Sequence, residues 1–358
     1  IPKTVGKGRQ AAVGWMCAVS TSFLQASACT MGAEKETKLA SRTDGQTTGA
    51  NSMEELFVRY DRNPLITAKD MPYQANTVFN AGAADLGDEV LLLLRVESCS
   101  GRSHLIVARS RDGVTGWKVD DTALLHAKQG VPCEASGVED CRLTWMQELD
   151  AWLITYTAYG PDGPGIALAK TQDFRTVERI GLVFPPEDKN GVLFPRRFDG
   201  SYAMLHRPCR YNGSVWMSYS PDMIHWGRHQ VVLPIRGGPW WDGVRVGAGL
   251  PPIETEKGWL LIYHGVKELA GDPIYRLGAA LVDLEEPHRL IGRARRWLLG
   301  PQAPYERIGD AGNVIFSCGG IVRAGELWVY YGAADSSICL AKAKVSDILD
   351  MIEEQPTD

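Results

Sequence analysis

From Leu56 onward one pattern returns five times, and a chain built that way has few folds open to it. Each copy sets two apolar, aromatic-rich runs on either side of a polar loop. The early copies then close on an Asp followed by an aromatic residue. Residues 90–95 and 104–109 form the first copy, with Asp112 and Trp117 after them; residues 151–156 and 165–170 form the second, with Asp173 and Phe174. The third pairs residues 201–206 with 215–220, the fourth 258–264 with 275–280, and the fifth 326–332 with 337–342. A repeat of roughly fifty to sixty residues, each made of short strands, is the mark of a β-propeller. The expectation is therefore an all-β, five-bladed β-propeller occupying residues 53–358 as one catalytic domain. Residues 345–354 read as a short C-terminal helix, and the charged stretch 285–296 as a loop between blades. Most of the repeated aromatics are then blade-packing core.

Few partner classes fit the composition. A formal net charge of −5 argues against nucleic acid and against an anionic membrane surface. No uninterrupted apolar run is long enough to span a bilayer. Eight Cys are scattered without CxxC pairs or a His cluster, so neither a metal site nor a disulfide framework is expected. Reduced, mostly buried thiols in a cytoplasmic protein suit that usage. Lys7 and Arg9 precede a mildly apolar stretch ending at Ala28, and a genuine signal there would make the protein secreted. Residues 1–52 read as a leader or linker extension, with Met53 as a natural start. Self-association into a homo-oligomer is compatible with all of this.

The stretch Gly137-Val138-Glu139-Asp140-Cys141-Arg142 places two carboxylates side by side, with a guanidinium two residues on. Successive side chains of a strand point to opposite faces. Asp140 and Arg142 should therefore face one pocket together, and Glu139 should face away. By itself the hexapeptide reads more readily as an exposed acidic turn before a strand. Recurrence elsewhere changes the balance, because a propeller brings equivalent points of different blades to one face. Asn80 and Arg95 interrupt the first module, and Lys189 and His206-Arg207-Pro208 the third. Arg245 and Tyr263-His264-Gly265 belong to the fourth, and Tyr330-Tyr331-Gly332-Ala333-Ala334-Asp335 to the fifth. Asp140, Asp335 and Asn80 suit sugar hydroxyls. Lys189, Arg207, Arg245 and His264 are an excess of cations in an acidic chain, and converging cations call for an anion such as phosphate.

These residues also carry a resemblance. Residues 60–352 resemble glycoside hydrolase family 130, the β-mannoside phosphorylases and related mannosidases, which are five-bladed propellers. The matching pieces include Val78-Phe79-Asn80-Ala81-Gly82, Glu139-Asp140-Cys141-Arg142, His206-Arg207-Pro208, the run from Val246 to Ile253, the run from Gly258 to Val266, and Tyr330 to Asp335. The resemblance implies that Asp140 is the proton donor, acting through a substrate hydroxyl. It implies that Asn80, Arg95 and Asp335, with Arg142 and Tyr263 beside them, bind the mannosyl unit. Lys189, Arg207, Arg245 and His264 would bind phosphate, a co-substrate in an enzyme with no other cofactor. Cys141 replaces the family's usual Pro, and Arg245 a common Lys. Residues 1–52 match nothing in the family.

An inverting hydrolase needs both an acid and a base, whereas a phosphorylase needs only the acid, since phosphate is already an anionic nucleophile. One placed Asp and a basic cluster thus favour phosphorolysis, and the resemblance implies a β-mannoside cleaved with inversion, giving α-mannose 1-phosphate and a free sugar. Burial should raise the Asp140 pKa, while Arg142 pulls it down. The rivals are a β-mannosidase using Glu134, Glu139 or Asp242 as base, and a propeller that binds carbohydrate without catalysis. The acceptor sugar and its linkage should depend on loops 98–103, 161–165 and 234–243.

Overall fold

The apolar run at residues 90–94 shows how the repeats fold: all five side chains are fully buried, yet they divide between two cores. Leu92 and Leu94 pack with Ile106 and Tyr330, while Leu91 and Leu93 pack with Leu143 and Ile154. Alternate residues of a strand point to opposite faces, so a continuous apolar run marks a strand covered on both sides. The computed structural model describes residues 55–354, which are nearly all β. The expected leader or linker, residues 1–52, lies outside the described residues.

Each apolar pair found in the sequence forms the middle two strands of an antiparallel meander of four. The first meander runs Thr77–Asp85, Val90–Glu97, Ser103–Ser110 and Lys118–Val119, and the second Gly137–Met146, Ala151–Gly160, Gly163–Thr171 and Glu178–Phe184. A single parallel bridge, Ser103 to Gly137, joins these two into one eight-stranded sheet. The third is Asp188–Leu193, Tyr202–Pro208, Val215–Ser220 and Gly227–Leu233. The fourth is Arg245–Ala248, Gly258–Leu269, Asp272–Val282 and Leu290–Arg293. The fifth takes Ile315–Arg323, Glu326–Ala333 and Ser337–Lys344, and its outer strands, Val58–Arg59 and Ile66–Thr67, come from the other end of the described chain.

The first strands of the meanders lie side by side. Thr77–Asp85 packs on Gly137–Met146 and on Ile315–Arg323, Gly137–Met146 on Asp188–Leu193, and Asp188–Leu193 on Arg245–Ala248. The fourth meander also meets Ile315–Arg323 through its second and third strands. Three of the first strands carry the same bulge. Asn80 and Ala81 oppose one residue of the next strand, as do Asp140 with Cys141 and Asn190 with Gly191. The leading bulge residue is left-handed each time, with φ of +51° at Asn80, +48° at Asp140 and +59° at Asn190. Asn and Asp tolerate that region best after Gly, and a bulge re-aims the side chain it carries.

Some local expectations change. The C-terminal helix is present as Val345–Glu353, with Ile348, Leu349, Met351 and Ile352 buried. The stretch expected to be a loop between blades contains the outer strand Leu290–Arg293, whose Arg293 is buried against Asp242. A one-turn helix, Pro304–Arg307, was not foreseen; it seats Glu306 under Arg59 and Tyr331. Of the six described cysteines only Cys141, Cys318 and Cys339 are buried, and all six are free. Among the described residues no helix is long and apolar enough to cross a membrane.

Candidate active site

The left-handed bulges open onto one cavity of about 700 Å³ where the first strands meet. Its lining includes Asn80, Arg95, Glu139, Asp140, Lys189, Asn190, Arg207, His264 and Asp335. Eight of the ten site residues read from the sequence come together at or beside it. Asn80, Arg95, Asp140, Lys189, Arg207, His264 and Asp335 line it, and Arg245 stands just behind, donating from Nη2 to the hydroxyl of the lining residue Tyr275 over 2.6 Å.

Asp140 is the centre of the acidic side. Its Oδ1 accepts from Asn80 Nδ2 and from Arg95 Nη1, both at 2.9 Å. Arg95 is held in turn by Ser103 Oγ at 2.9 Å and lies over the Phe79 ring. Burial alone would raise the Asp140 pKa. The charges of Arg95, Arg142 and Lys189, with the Asn80 bond, outweigh that and hold it at about 2. The expected rise at Asp140 is therefore reversed in the free protein. It appears instead at Asp335, where burial and the nearby Asp140 charge lift the carboxyl to about 7.

Glu139 was expected to face away, and it does not. The bulge inserts one extra residue and Asp140 turns left-handed, so the strict alternation between 139 and 140 is lost. Glu139 lines the cavity, with Oε1 3.2 Å from Arg95 Nη2 and Oε2 3.9 Å from Lys189 Nζ. Burial raises its pKa, against the pull of Arg95.

Arg142 does not share the pocket with Asp140. It is 1% exposed and spans the strands beneath the cavity. Nη1 donates to the Asp140 carbonyl (2.7 Å), Nε to Gly249 O (3.0 Å) and Nη2 to Ala248 O (3.2 Å). Tyr263, also expected at the substrate, is equally buried. Its hydroxyl donates to Asp242 Oδ2 at 2.9 Å and accepts from Arg293 Nε at 3.0 Å.

On the basic side, Lys189 and Arg207 are cross-strand neighbours. Burial and the adjacent Arg245 lower the Arg207 pKa, and its Nε has no partner among the described residues. His264 is 1% exposed and packs 4.5 Å from the Phe316 ring. Burial and the surrounding Arg207, Arg142 and Arg245 charges push its pKa well below the usual histidine value, so the imidazole is neutral. The half-site is thus three basic side chains, Lys189 and Arg207 in the lining and Arg245 behind them, around a neutral donor.

A family model described as beta-1,4-mannooligosaccharide phosphorylase matches residues 56–354. The chain belongs to glycoside hydrolase family 130. Within family 130 it is similar to the beta-1,2-mannobiose phosphorylase of Listeria innocua, 33% identical over 356 residues, covering 82% of this chain and 98% of the relative. It is similar as well to the beta-1,4-mannooligosaccharide phosphorylase of Ruminococcus albus, 33% identical over 313 residues, at 84% and 91% coverage. A solved Listeria innocua beta-1,2-mannobiose phosphorylase, in complex with beta-1,2-mannobiose, superposes with a TM-score of 0.77 at 32% identity, covering 84% of this chain and 99% of that one.

Several lining residues were not singled out from the sequence. Asn190 was detectable, since it follows Lys189 just as Asp140 follows Glu139. Tyr159, Asp272, Tyr275 and Phe316 gave no signal, because they reach the cavity only through the packing of whole meanders. The rim also differs from expectation. None of loops 98–103, 161–165 and 234–243 lines the cavity; Asp272 and Pro273, at the start of the strand Asp272–Val282, and residues 311–314 do.

Proposed function

We propose that this protein carries out reversible, inverting phosphorolysis of a β-mannoside, releasing α-mannose 1-phosphate and a free sugar. The observation that carries the reading is the division of one cavity between the Asn80–Asp140–Arg95 cluster and the Lys189–Arg207–His264 cluster. The names of the family-130 relatives support it. The five meanders are read as blades, closed where N-terminal strands complete the fifth.

In this reading Asn80, Arg95 and Asp335 hold the mannosyl ring. Lys189, Arg207 and His264 bind phosphate, with Arg245 backing them through Tyr275. A phosphate oxygen bonds to the anomeric carbon as the glycosidic C–O bond breaks, and the departing oxygen receives a proton originating on Asp140. Arg142 and Tyr263 act from beneath, as supports rather than contacts. An acid held near pKa 2 donates nothing at neutral pH, so substrate binding must change its surroundings. Phosphate brings negative charge to Lys189, one of the three cations that depress Asp140, and thereby raises its pKa. A sugar hydroxyl competing for Arg95 and Asn80 acts in the same direction.

Hydrolysis would need a carboxylate base. Of Glu134, Glu139 and Asp242 only Glu139 lines the cavity, and it is engaged by Arg95 at 3.2 Å and by Lys189 at 3.9 Å rather than free to take a proton from water. Glu134 is tied to Tyr156 and Arg179, and Asp242 to Tyr263 and Arg293. The synthesis direction tests the proposal: α-mannose 1-phosphate with a panel of glucose, mannose and N-acetylglucosamine acceptors should release phosphate. No release with any acceptor would count against it.

A further inference from the structure

Behind the basic side of the cavity runs a line of hydrogen bonds with no place in the reaction described so far. His206 Nδ1 is 2.7 Å from Asp188 Oδ2, and His206 Nε2 is 2.7 Å from Ser218 Oγ. Ser218 Oγ is in turn 2.6 Å from His229 Nδ1. Asp188, His206 and Ser218 are all buried, and His229 reaches the surface. Phe184 stacks on the His206 ring with centroids 4.3 Å apart.

The donors can be assigned. An ionised Asp188 only accepts, so His206 must donate from Nδ1. In that tautomer Nε2 accepts, which makes Ser218 the donor there and leaves its oxygen to accept from His229 Nδ1. His206 and Ser218 each donate to one neighbour and accept from the other, so the line runs in one direction from His229 to Asp188.

The line ends on the strand pair that carries the two cations lining the basic side. Asp188 immediately precedes Lys189 on one strand, His206 immediately precedes Arg207 on the next, and Lys189 and Arg207 are register partners. Asp188 is among the groups whose charge acts on Arg207. Its second oxygen, Oδ1, is buried and has no partner among the described residues. Cations converging on a pocket repel one another when no anion is bound, so a fixed countercharge beneath them is needed to keep them in place.

We propose that Asp188, His206 and Ser218 are positioning residues for the phosphate-binding pair Lys189 and Arg207, with His206 fixing the orientation of the Asp188 countercharge. This rests on the phosphorylase reading above. His206 does not touch substrate; it acts through Asp188.

The test is the phosphate affinity of three variants, from the KM for inorganic phosphate and from equilibrium binding of phosphate alone. His206→Phe keeps a ring against Phe184 but removes the donor to Asp188, and should raise the phosphate KM roughly tenfold, as loss of one buried hydrogen bond to a charge would. The β-mannoside KM should stay unchanged. His206→Asn, whose amide can stand in for Nδ1, should restore most of the affinity. Ser218→Ala cuts the line one link further out and should give a smaller rise, which keeps the proposal testable if His206→Phe does not fold. Phosphate affinity unaltered in both His206→Asn and Ser218→Ala and, where it folds, in His206→Phe would overturn it, as would equal losses for phosphate and mannoside. Should the unmodified protein release sugar at full rate without phosphate, the phosphorylase reading itself fails. A phosphate-dependent parent with indifferent variants sinks only the positioning role.

Discussion

Asn80 donates from Nδ2 to Oδ1 of Asp140 across 2.9 Å, and both residues hold left-handed backbones at the same point of adjacent strands. The acid and its orienting amide are thus products of one repeated bulge. Asn80→Gly keeps the backbone conformation and removes only the amide. It should lower kcat by roughly ten- to a hundredfold, within the range expected of acid catalysis, with the melting temperature little changed. Steady-state kinetics beside thermal melting checks this, and unchanged kcat would mean that Asn80 does not orient the acid.

Arg142→Met addresses the layer below. The guanidinium satisfies carbonyls of Asp140, Ala248 and Gly249 in a fully buried setting, and methionine fills the volume without the donors. Leaving those acceptors unpaired should cost about 3 kcal/mol in denaturant unfolding. A loss below about 1 kcal/mol would show that the layer tolerates their exposure to each other.

The acidic cluster predicts a pH signature. The folded Asp335 pKa of about 7 lies above its ordinary value of 3.8. Its contribution to stability is therefore complete below pH 3.8 and is lost as pH rises through 7. Asp140 has the opposite sign: depressed to about 2, it favours the fold above the ordinary carboxylate range and loses that effect as pH falls toward 2. Asp335→Asn should accordingly raise the melting temperature more at pH 8 than at pH 5, these values being chosen to lie about a unit or more on either side of neutrality. An equal change at both would place the Asp335 pKa elsewhere.

Gly247 is the point where the fourth meander makes room for the basic side. A Cβ there would lie 2.4 Å from Asn190 Nδ2 and 2.6 Å from His264 Nε2. Both neighbours are buried and have little freedom to retreat. Gly247→Ala should raise the phosphate KM about tenfold or more with a smaller effect on mannoside, a loss comparable to one good polar contact. Comparing the two KM values decides it, and an unchanged phosphate KM would remove His264 from the phosphate site.

The sequence made the repeats legible because the middle strands of each meander are buried on both faces and read as continuous apolar runs. The first strands were harder to see. They are short or bulged and carry polar residues into the cavity, so they look like loops around Lys189 and Arg245. Periodicity placed Glu139 on the wrong face because the count of one residue per face fails at a bulge, and nothing in residues 137–142 announces one. Arg142 and Tyr263 were recognised as unusual for their positions, which was correct, but an unusual buried polar residue can support a site from beneath as readily as it can line it. The direction of the Asp140 pKa was missed for a related reason: burial is visible in sequence pattern, whereas the convergence of Arg95 and Lys189 on Asp140 is a property of the assembled fold.

The central claim is that an anion, not water, attacks the sugar. The most direct measurement follows β-mannobiose and mannooligosaccharide cleavage with inorganic phosphate present and absent, detecting α-mannose 1-phosphate as product. The account predicts sugar release only with phosphate, with one α-mannose 1-phosphate formed per bond cleaved. Release at an undiminished rate without phosphate, yielding free mannose, would contradict it.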